Sequence, residues 1–165
     1  MKRVISTLAV AIWVTAAFNA LALDDATTNK LVSSAYNQTN GVAIKGYDPV
    51  AYQTDNKALK GDAKFSATHN GVMFHFAGSA NRDLFIATPE KYAPQYGGYC
   101  AFGVTKGYKA DINPNAFAII DGKLYLNYDT KVQTMWRKDT AGNITIANSR
   151  WRDVEKTTNV IRQHD

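Results

Sequence analysis

Six side chains of this sequence could bind a metal ion or a small ligand, judged by chemical type alone. Cys100 is the only cysteine, and His75 and Met73 belong to one short apolar stretch. Thiolate, thioether and imidazole are groups that a soft metal such as Cu(I) accepts. The sequence therefore offers one candidate metal set, Cys100 with His75 or Met73. A second candidate set, for a small organic ligand, comprises Tyr47, Asp48 and Tyr99.

Cys100 allows two interpretations that the sequence leaves open. It follows the pair Gly97-Gly98, after which a short helix is predicted. In the first turn of such a helix, free N–H groups would stabilise a thiolate and lower its pKa, which suits a ligand or a reactive thiol. Alternatively, Cys100 is a small buried hydrophobe among aromatic residues. A single cysteine also excludes an intramolecular disulfide.

Asp48 lies in the stretch Gly46-Tyr47-Asp48-Pro49, whose composition predicts a turn. Its carboxylate could act as a ligand or a base, or it could bond the backbone of its own turn. The chain has no P-loop, no nucleophile elbow and no His-x-x-x-His or Cys-x-x-Cys spacing. No catalytic residue is therefore predicted, and an enzyme is the less favoured class.

The first 22 residues predict a secretory signal peptide. Lys2 and Arg3 precede an apolar run at residues 4–18, and Ala20 and Ala22 give a small-x-small cleavage site. The run is shorter than the roughly 20 apolar residues that span a bilayer, and no later run is long enough to do so. We expect an exported protein with no membrane span after cleavage.

Charge and composition narrow the partners further. The 165 residues carry a formal net charge of +5, with no cluster of Lys and Arg along the chain. A nucleic-acid-binding surface needs clustered positive charge, so nucleic acid is not predicted as a partner. A metal ion, a small ligand or another envelope protein are the partners that stay open.

Two β-hairpins are predicted from turn signals flanked by apolar runs. The first spans residues 64–76 around Asn70-Gly71, and the second spans residues 116–127 around Asp121-Gly122. A two-residue loop sets the register of the first hairpin, which gives the facing pairs Ala67–Phe74, Ser66–His75 and Phe65–Phe76. Both faces of the second hairpin are apolar, which predicts a central pair covered on both sides. Beyond a loose similarity of the two hairpins, no internal repeat is predicted.

Helices complete an α+β fold, in which a small antiparallel sheet built from the two hairpins is packed against several helices. Ser79 is predicted to cap a helix over residues 80–87, and a longer helical region is predicted from Thr130. Residues 141–143 should interrupt that region before a last helix over residues 144–154. The domain plan is a signal peptide (1–22), an N-terminal segment with a short helix (23–40) and one domain with a helical C-terminal part (41–165).

Residues 74–92, FHFAGSANRDLFIATPEKY, resemble the YHS domain, a small module found in metal-handling proteins. Residues 46–52, 92–101 and 121–128 extend this similarity to the exported, single-cysteine branch of that family. The resemblance implies a location in the bacterial periplasm and a role in metal handling. The positions of the two cysteines of the common YHS motif are here Ala77 and Asn81.

These observations favour an exported binding protein for a soft metal such as a copper ion. The first alternative is a module that binds a non-metal ligand or another protein, in which Cys100 is only structural. The second alternative is a thiol-dependent enzyme built on Cys100, for which neither a second cysteine nor a base is identified.

Overall fold

The computed structural model describes residues 35–163, and its mixture of helices and strands confirms the α+β class. The predicted signal peptide and the helix predicted near residue 31 lie outside the described residues. Asn37 and the first strand precede Gly41 and belong to the same packed unit, because Asn37 is buried and bonds to Gly98 and Asp111. Within residues 35–163, no helix is long and apolar enough to cross a membrane.

The strands form three small sheets. A four-stranded sheet has the order β1-β2-β4-β3, β6 pairs with β7, and β5 pairs with β8. The strand bounds are β1 Gln38–Thr39, β2 Val42–Ala43, β3 Asp62–His69, β4 Val72–Phe76, β5 Lys109–Ala110, β6 Asn113–Ile120, β7 Lys123–Asn127 and β8 Val160–Ile161. The two hairpins therefore belong to separate sheets, because the free side of β4 pairs in parallel with β2.

Six helices and two tight turns surround these sheets within the described range. The helices are α1 Ala51–Thr54, α2 Ser79–Ala87, α3 Pro89–Tyr92, α4 Ala101–Thr105, α5 Thr130–Arg137 and α6 Thr140–Val154. The tight turns are Ile44–Gly46 and Gln95–Gly98, and both contain residues with positive φ.

The first hairpin has the predicted turn and most of the predicted register. Asn70 and Gly71 have φ angles of 49° and 74°, as a type I′ turn requires. Ser66 faces His75 and Ala67 faces Phe74. The predicted pair Phe65–Phe76 is wrong, since the register shifts between Asp62 and Ser66 and Asp62 faces Phe76 instead.

The second hairpin, β6–β7, is covered on both faces, as its sequence predicted. Leu124 and Leu126 belong to the main core, which also contains the buried rings of the first hairpin. Ala118 and Tyr125, on the opposite face, belong to a second core built around Trp136 and helix α6. This hairpin therefore separates the two cores and contacts both.

Two predicted helix ends are corrected by the structure. Gly78, not Ser79, is the N-cap of α2, and the N-cap makes no side-chain hydrogen bond. The break between the last two helices lies at residues 138–139, not at 141–143. Asp139 causes the restart, because its carboxylate accepts the Gly142 N–H at 2.9 Å and caps α6.

We expect Gly122→Val to lower the free energy of unfolding by about 1–2 kcal/mol, the cost of a left-handed conformation for a residue with a Cβ. Gly122 has a φ of 69°, and a Cβ there meets nothing within 4 Å, so backbone strain is the dominant effect. Urea unfolding measures the change, with Lys123→Val as the control one residue away. Equal stability of Gly122→Val and wild type would contradict the type I′ turn.

Candidate functional site

The structure separates the residues of the predicted metal set. Met73 and His75 lie on the outer face of β4, where Met73 is 42% exposed and His75 is half-buried. Cys100 lies in the main core and is 1% exposed. Among residues 35–163, no group of three or more His, Cys, Asp or Glu side chains could hold a metal ion. Cys100 and His75 line different cavities.

Asp48 is fully buried, and its carboxylate accepts four hydrogen bonds. Oδ1 accepts the N–H groups of Val50 at 2.8 Å and Ala51 at 3.2 Å, which fixes the turn that begins α1. Oδ2 accepts the Ala77 N–H at 2.8 Å and the Asn81 amide at 2.7 Å. We call these four groups the Asp48 donor set. These four groups use the hydrogen-bonding capacity of the carboxylate. Of the roles that the sequence allowed, bonding to the backbone of its own turn therefore explains Asp48.

Ala77 and Asn81, which the resemblance aligns with the two cysteines of the YHS motif, both donate to the same carboxylate. Ala77 donates through its backbone, directly after β4, and Asn81 donates through its side chain from the first turn of α2. These two hydrogen bonds therefore connect the end of β4 and the first turn of α2 to the Asp48 turn.

Cys100 is the N-cap of α4, and its sulfur accepts the Gly103 N–H at 3.4 Å. Burial raises the pKa of the thiol above its ordinary value. The backbone N–H groups of Gly103, Tyr128 and Phe102 act in the opposite direction but do not outweigh burial. Of the two interpretations that the sequence left open, the structure agrees with the buried hydrophobe, because the sulfur lies in the core and not at an exposed helix start.

A cavity of about 210 Å³, which we call the Cys100 pocket, has Cys100 among its lining residues. Three exposed hydrophobic side chains belong to it, Tyr108, Met135 and Ile161. Behind the sulfur, the thiol donates to Asn127 Oδ1 at a long 3.9 Å. Asn127 is 0% exposed, and its Nδ2 has no hydrogen-bond partner in the described part of the chain.

The two tyrosines of the predicted organic-ligand set are not brought together with Asp48 as an open site. Tyr47 is half-buried, packs on the main core and has the ammonium of Lys60 4.9 Å from its ring centroid. Tyr99 is buried and donates its hydroxyl to the Tyr36 carbonyl at 2.9 Å.

A cleft that the sequence analysis missed lies beside His75. We call it the basic cleft; its volume is about 720 Å³, and it is lined by Gln38, Thr39, Asn40, Val42, Lys45, Gly46, Lys60, His75, Asp111, Arg162 and Gln163. Three of these residues are cations, Lys45, Lys60 and Arg162, and one is a carboxylate, Asp111. The cleft therefore has a positive formal charge.

Asp111 neutralises only one of the three cations. Lys45 Nζ lies 3.1 Å from Asp111 Oδ2, whereas Lys60 donates to the Lys45 carbonyl and Arg162 donates to the Asn37 side chain at 2.9 Å. Neither Lys60 nor Arg162 forms a salt bridge within residues 35–163. Their charges are thus available to an anion in the cleft.

Asp111 is ionised at neutral pH. Burial alone would raise the pKa of its carboxyl, but hydrogen bonds from Asn37, the Ile112 N–H and Lys45, with the charge of Lys45, hold the pKa below its ordinary value. Asn37 also donates to Asp111 Oδ1 at 3.1 Å. The floor of the cleft is therefore a fixed network of charged and amide groups.

No local sequence signal identifies the basic cleft. Lys45 and Gln163, which share a 3.4 Å hydrogen bond, are 118 residues apart in the chain. Arg162 reaches the cleft because β8 pairs with β5 and places the C-terminal residues beside the Lys45 turn. Isolated lysines and arginines of this kind are ordinary surface residues until the fold brings them together.

No protein-family model matches the chain, and no curated protein or solved structure matches it either. The resemblance to the YHS domain therefore stays a prediction that depends on the residues themselves.

We expect Asp48→Ala to destabilise the protein by about 3 kcal/mol or more, because it leaves four donors without an acceptor. Asp48→Asn should cost less, since its amide oxygen still accepts from some of the four donors. Urea denaturation measures both changes. Asp55→Ala, at an exposed carboxylate seven residues along, is the control and should change stability by less than about 0.5 kcal/mol. Similar losses in Asp48→Ala and Asp55→Ala would contradict this role.

Proposed function

We propose that this protein is an exported binding module of YHS type that takes a small anionic ligand in the basic cleft. This is the first alternative that the sequence allowed, and its ligand site does not include Cys100. The N-terminal signal sequence supports export, and the hairpin–helix order of residues 62–92 is compatible with the resemblance. The observation on which the proposal depends is the pair of cations, Lys60 and Arg162, that face one cleft without a carboxylate partner in the described range.

The shape of the cleft agrees with a small ligand. Its volume of about 720 Å³ falls within the roughly 300–1,000 Å³ of ordinary ligand sites. Amide and hydroxyl side chains from Gln38, Thr39 and Gln163 line it beside the cations. The Gln163 amide is itself held by Lys45 and by the Tyr128 carbonyl. A carboxylate or phosphate group would take paired N–H donors from Arg162 and the point charge of Lys60.

The backbone beneath the cleft is fixed in an unusual conformation. Ile44 and Lys45 have φ angles of 43° and 57°, and positive φ is rare for a β-branched residue such as Ile44. Lys60 Nζ donates to the Lys45 carbonyl and so binds this turn to the start of β3. The cations are therefore attached to a rigid frame, which reduces the entropy lost on ligand binding.

Calorimetric titration of the purified protein with inorganic phosphate and with citrate tests this function. We expect binding that weakens as ionic strength rises from about 20 mM to about 200 mM, because salt screens exposed charges. Lys60→Ala and Arg162→Ala should each weaken binding about tenfold, a change of about 1.4 kcal/mol. A preference for one of the two anions assigns the ligand chemistry.

Lys123→Ala is the matched control, since Lys123 is exposed on the second hairpin, outside the cleft. Thermal melting of each variant separates lost binding from lost folding. Absence of binding to both anions, or an equal loss in Lys123→Ala, would contradict the anionic-ligand function.

A second candidate is the soft-metal protein predicted from the sequence, with one change of ligand. Cys100 and Met135 line the same apolar pocket, whereas His75 and Met73 lie on the outer face of β4. A thiolate and a thioether are both soft ligands that Cu(I) accepts. The candidate site is therefore Cys100 with Met135, in place of the predicted His75 or Met73.

Competition for Cu(I) against a chromophoric chelator tests this candidate. We expect Cys100→Ser and Met135→Leu to weaken Cu(I) binding about tenfold or more, which corresponds to at least about 1.4 kcal/mol. Met73→Leu and His75→Ala are the controls and should leave it unchanged. Equal Cu(I) affinity in all four variants would remove copper from the candidate ligands.

A further inference from the structure

The described chain contains two copies of one structural unit. β3 and β6 each have eight residues, and β4 and β7 each have five. In both hairpins a two-residue turn with positive φ joins the strands, and a helix follows, α2 in the first and α5 in the second. Asp62 and Asn113, which begin the first strands, are 51 residues apart.

Irregular details repeat as well, which regular secondary structure would not require. The register shifts between Asp62 and Ser66 in the first hairpin, and between Asn113 and Phe117 in the second. Each unit also begins with three successive positive φ angles, at residues 44–46 and at residues 96–98. Strained features of this kind repeated at the same places indicate one duplicated backbone.

The duplication makes Asp48 and Cys100 equivalent positions. The repeated turn ends at Gly46 in the first unit and at Gly98 in the second. Gly46-Tyr47-Asp48 therefore corresponds to Gly98-Tyr99-Cys100, 52 residues later. Each of these side chains accepts the N–H group three residues ahead, from Ala51 and from Gly103 respectively.

The donors around the two side chains correspond. Val50 and Ala51 act on Asp48 from its own turn, and Ala77 acts from the residue after β4. Around Cys100, the Gly103 N–H donates to the sulfur at 3.4 Å, and the N–H groups of Phe102 and Tyr128, at the equivalent positions, lower the pKa of the thiol. The thiol thus lies among backbone N–H groups that are equivalent to those that donate to the Asp48 carboxylate in the first unit.

The fourth group differs between the units, because Val132 stands at the position of Asn81 and the amide near the sulfur is that of Asn127, at the end of β7. The Asn81 amide donates to Asp48 at 2.7 Å. Beside Cys100, the buried Asn127 amide currently accepts the thiol through Oδ1 at 3.9 Å, and its Nδ2 is unpartnered in the described range. Rotation of this amide by about 180° exchanges its oxygen and nitrogen and would present the donor to the sulfur. In the present orientation the amide oxygen faces the thiol, whereas after rotation the amide N–H group would donate to an anion.

We propose that Cys100 is a site of oxidation by a peroxide. Its sulfinate accepts hydrogen bonds from the donors around Cys100, as the Asp48 carboxylate does from the Asp48 donor set in the first unit. The sulfur attacks one peroxide oxygen, the O–O bond breaks, and the thiol proton leaves with the second oxygen as water. A second peroxide molecule adds another oxygen and again releases water. The resulting sulfinic acid loses its proton and becomes an anion with two oxygens.

The Cys100 pocket supplies the route and the space for this reaction. Cys100, which is 1% exposed, lines it together with the exposed side chains of Tyr108, Met135 and Ile161. Its volume of about 210 Å³ accommodates a peroxide and the two oxygens added to sulfur. Because the reacting species is the thiolate, oxidation should be slow at neutral pH and faster in alkaline solution.

Peptide mapping by mass spectrometry after hydrogen peroxide treatment is the first test. We expect a gain of two oxygens at Cys100 in the folded protein, at a rate that rises about tenfold per pH unit between pH 7 and pH 9. Met73 and Met135 should gain one oxygen each at rates insensitive to pH, which provides an internal control. Cys100 oxidation only in denaturant, or a sulfonate as the sole product, would overturn the proposal.

Cys100→Asp is the second test. It places a carboxylate, like that of Asp48, among the donors around position 100. We expect this variant to fold and to melt within a few degrees of Cys100→Ala. Val104→Asp, at an equally buried position on α4 without such donors, should not fold. Failure of Cys100→Asp to fold, as for Val104→Asp, would show that the donor set does not hold an anion. Asn127→Ala should lower the melting temperature more in the Cys100→Asp background than in the Cys100→Ala background, and an equal loss in both would contradict the fourth donor.

Discussion

The buried carboxylate of Asp48 is the interaction on which the first half of the fold depends. It binds the turn before α1, the end of β4 and the first turn of α2 to one another. A buried charge is stable only where its oxygens are fully hydrogen-bonded, so these three segments must keep their relative positions. The basic cleft lies on the other side of the same turn. The hydrogen bonds of Asp48 therefore also fix the positions of Lys45 and Gly46 in the cleft.

The second half of the fold depends on apolar contacts and on a buried cation. Hairpin β6–β7 lies between two cores, and Tyr125 and Trp136 pack with ring centroids 5.5 Å apart in the second of them. Lys109 is fully buried and donates to the carbonyls of Glu155 and Thr157, beyond the end of α6. Burial lowers the pKa of Lys109 to about 8, which is the cost of placing the ammonium there.

The two units therefore share a backbone but differ in what their equivalent positions do. In the first, a charged side chain satisfies four donors and closes the space beside it. In the second, a smaller neutral thiol faces corresponding donors and Val132 stands at the position of Asn81, so a pocket remains next to the sulfur. This asymmetry explains how one duplicated architecture yields a closed polar contact in one half and an open apolar pocket in the other.

The sequence by itself determined the local features of this protein. Asn70-Gly71 and Asp121-Gly122 predicted both hairpins, because only certain residues adopt positive φ at low cost. Apolar residues on both faces of the second hairpin predicted that both faces of β6–β7 are buried. The α+β class followed from these elements, and the turn role of Asp48 was among the interpretations that Asp48-Pro49 allowed.

Only the tertiary structure decided the surroundings of each side chain. The burial that raises the pKa of Cys100 comes from segments far along the chain, and no local pattern contains it. The separation of Cys100 from His75, the second acceptor role of Asp48 towards Ala77 and Asn81, and the meeting of Lys45 with Arg162 are likewise long-range contacts. The duplication was faint in the sequence because it is a repeat of backbone conformation. Different side chains at equivalent positions are compatible with the same φ angles and the same backbone N–H directions.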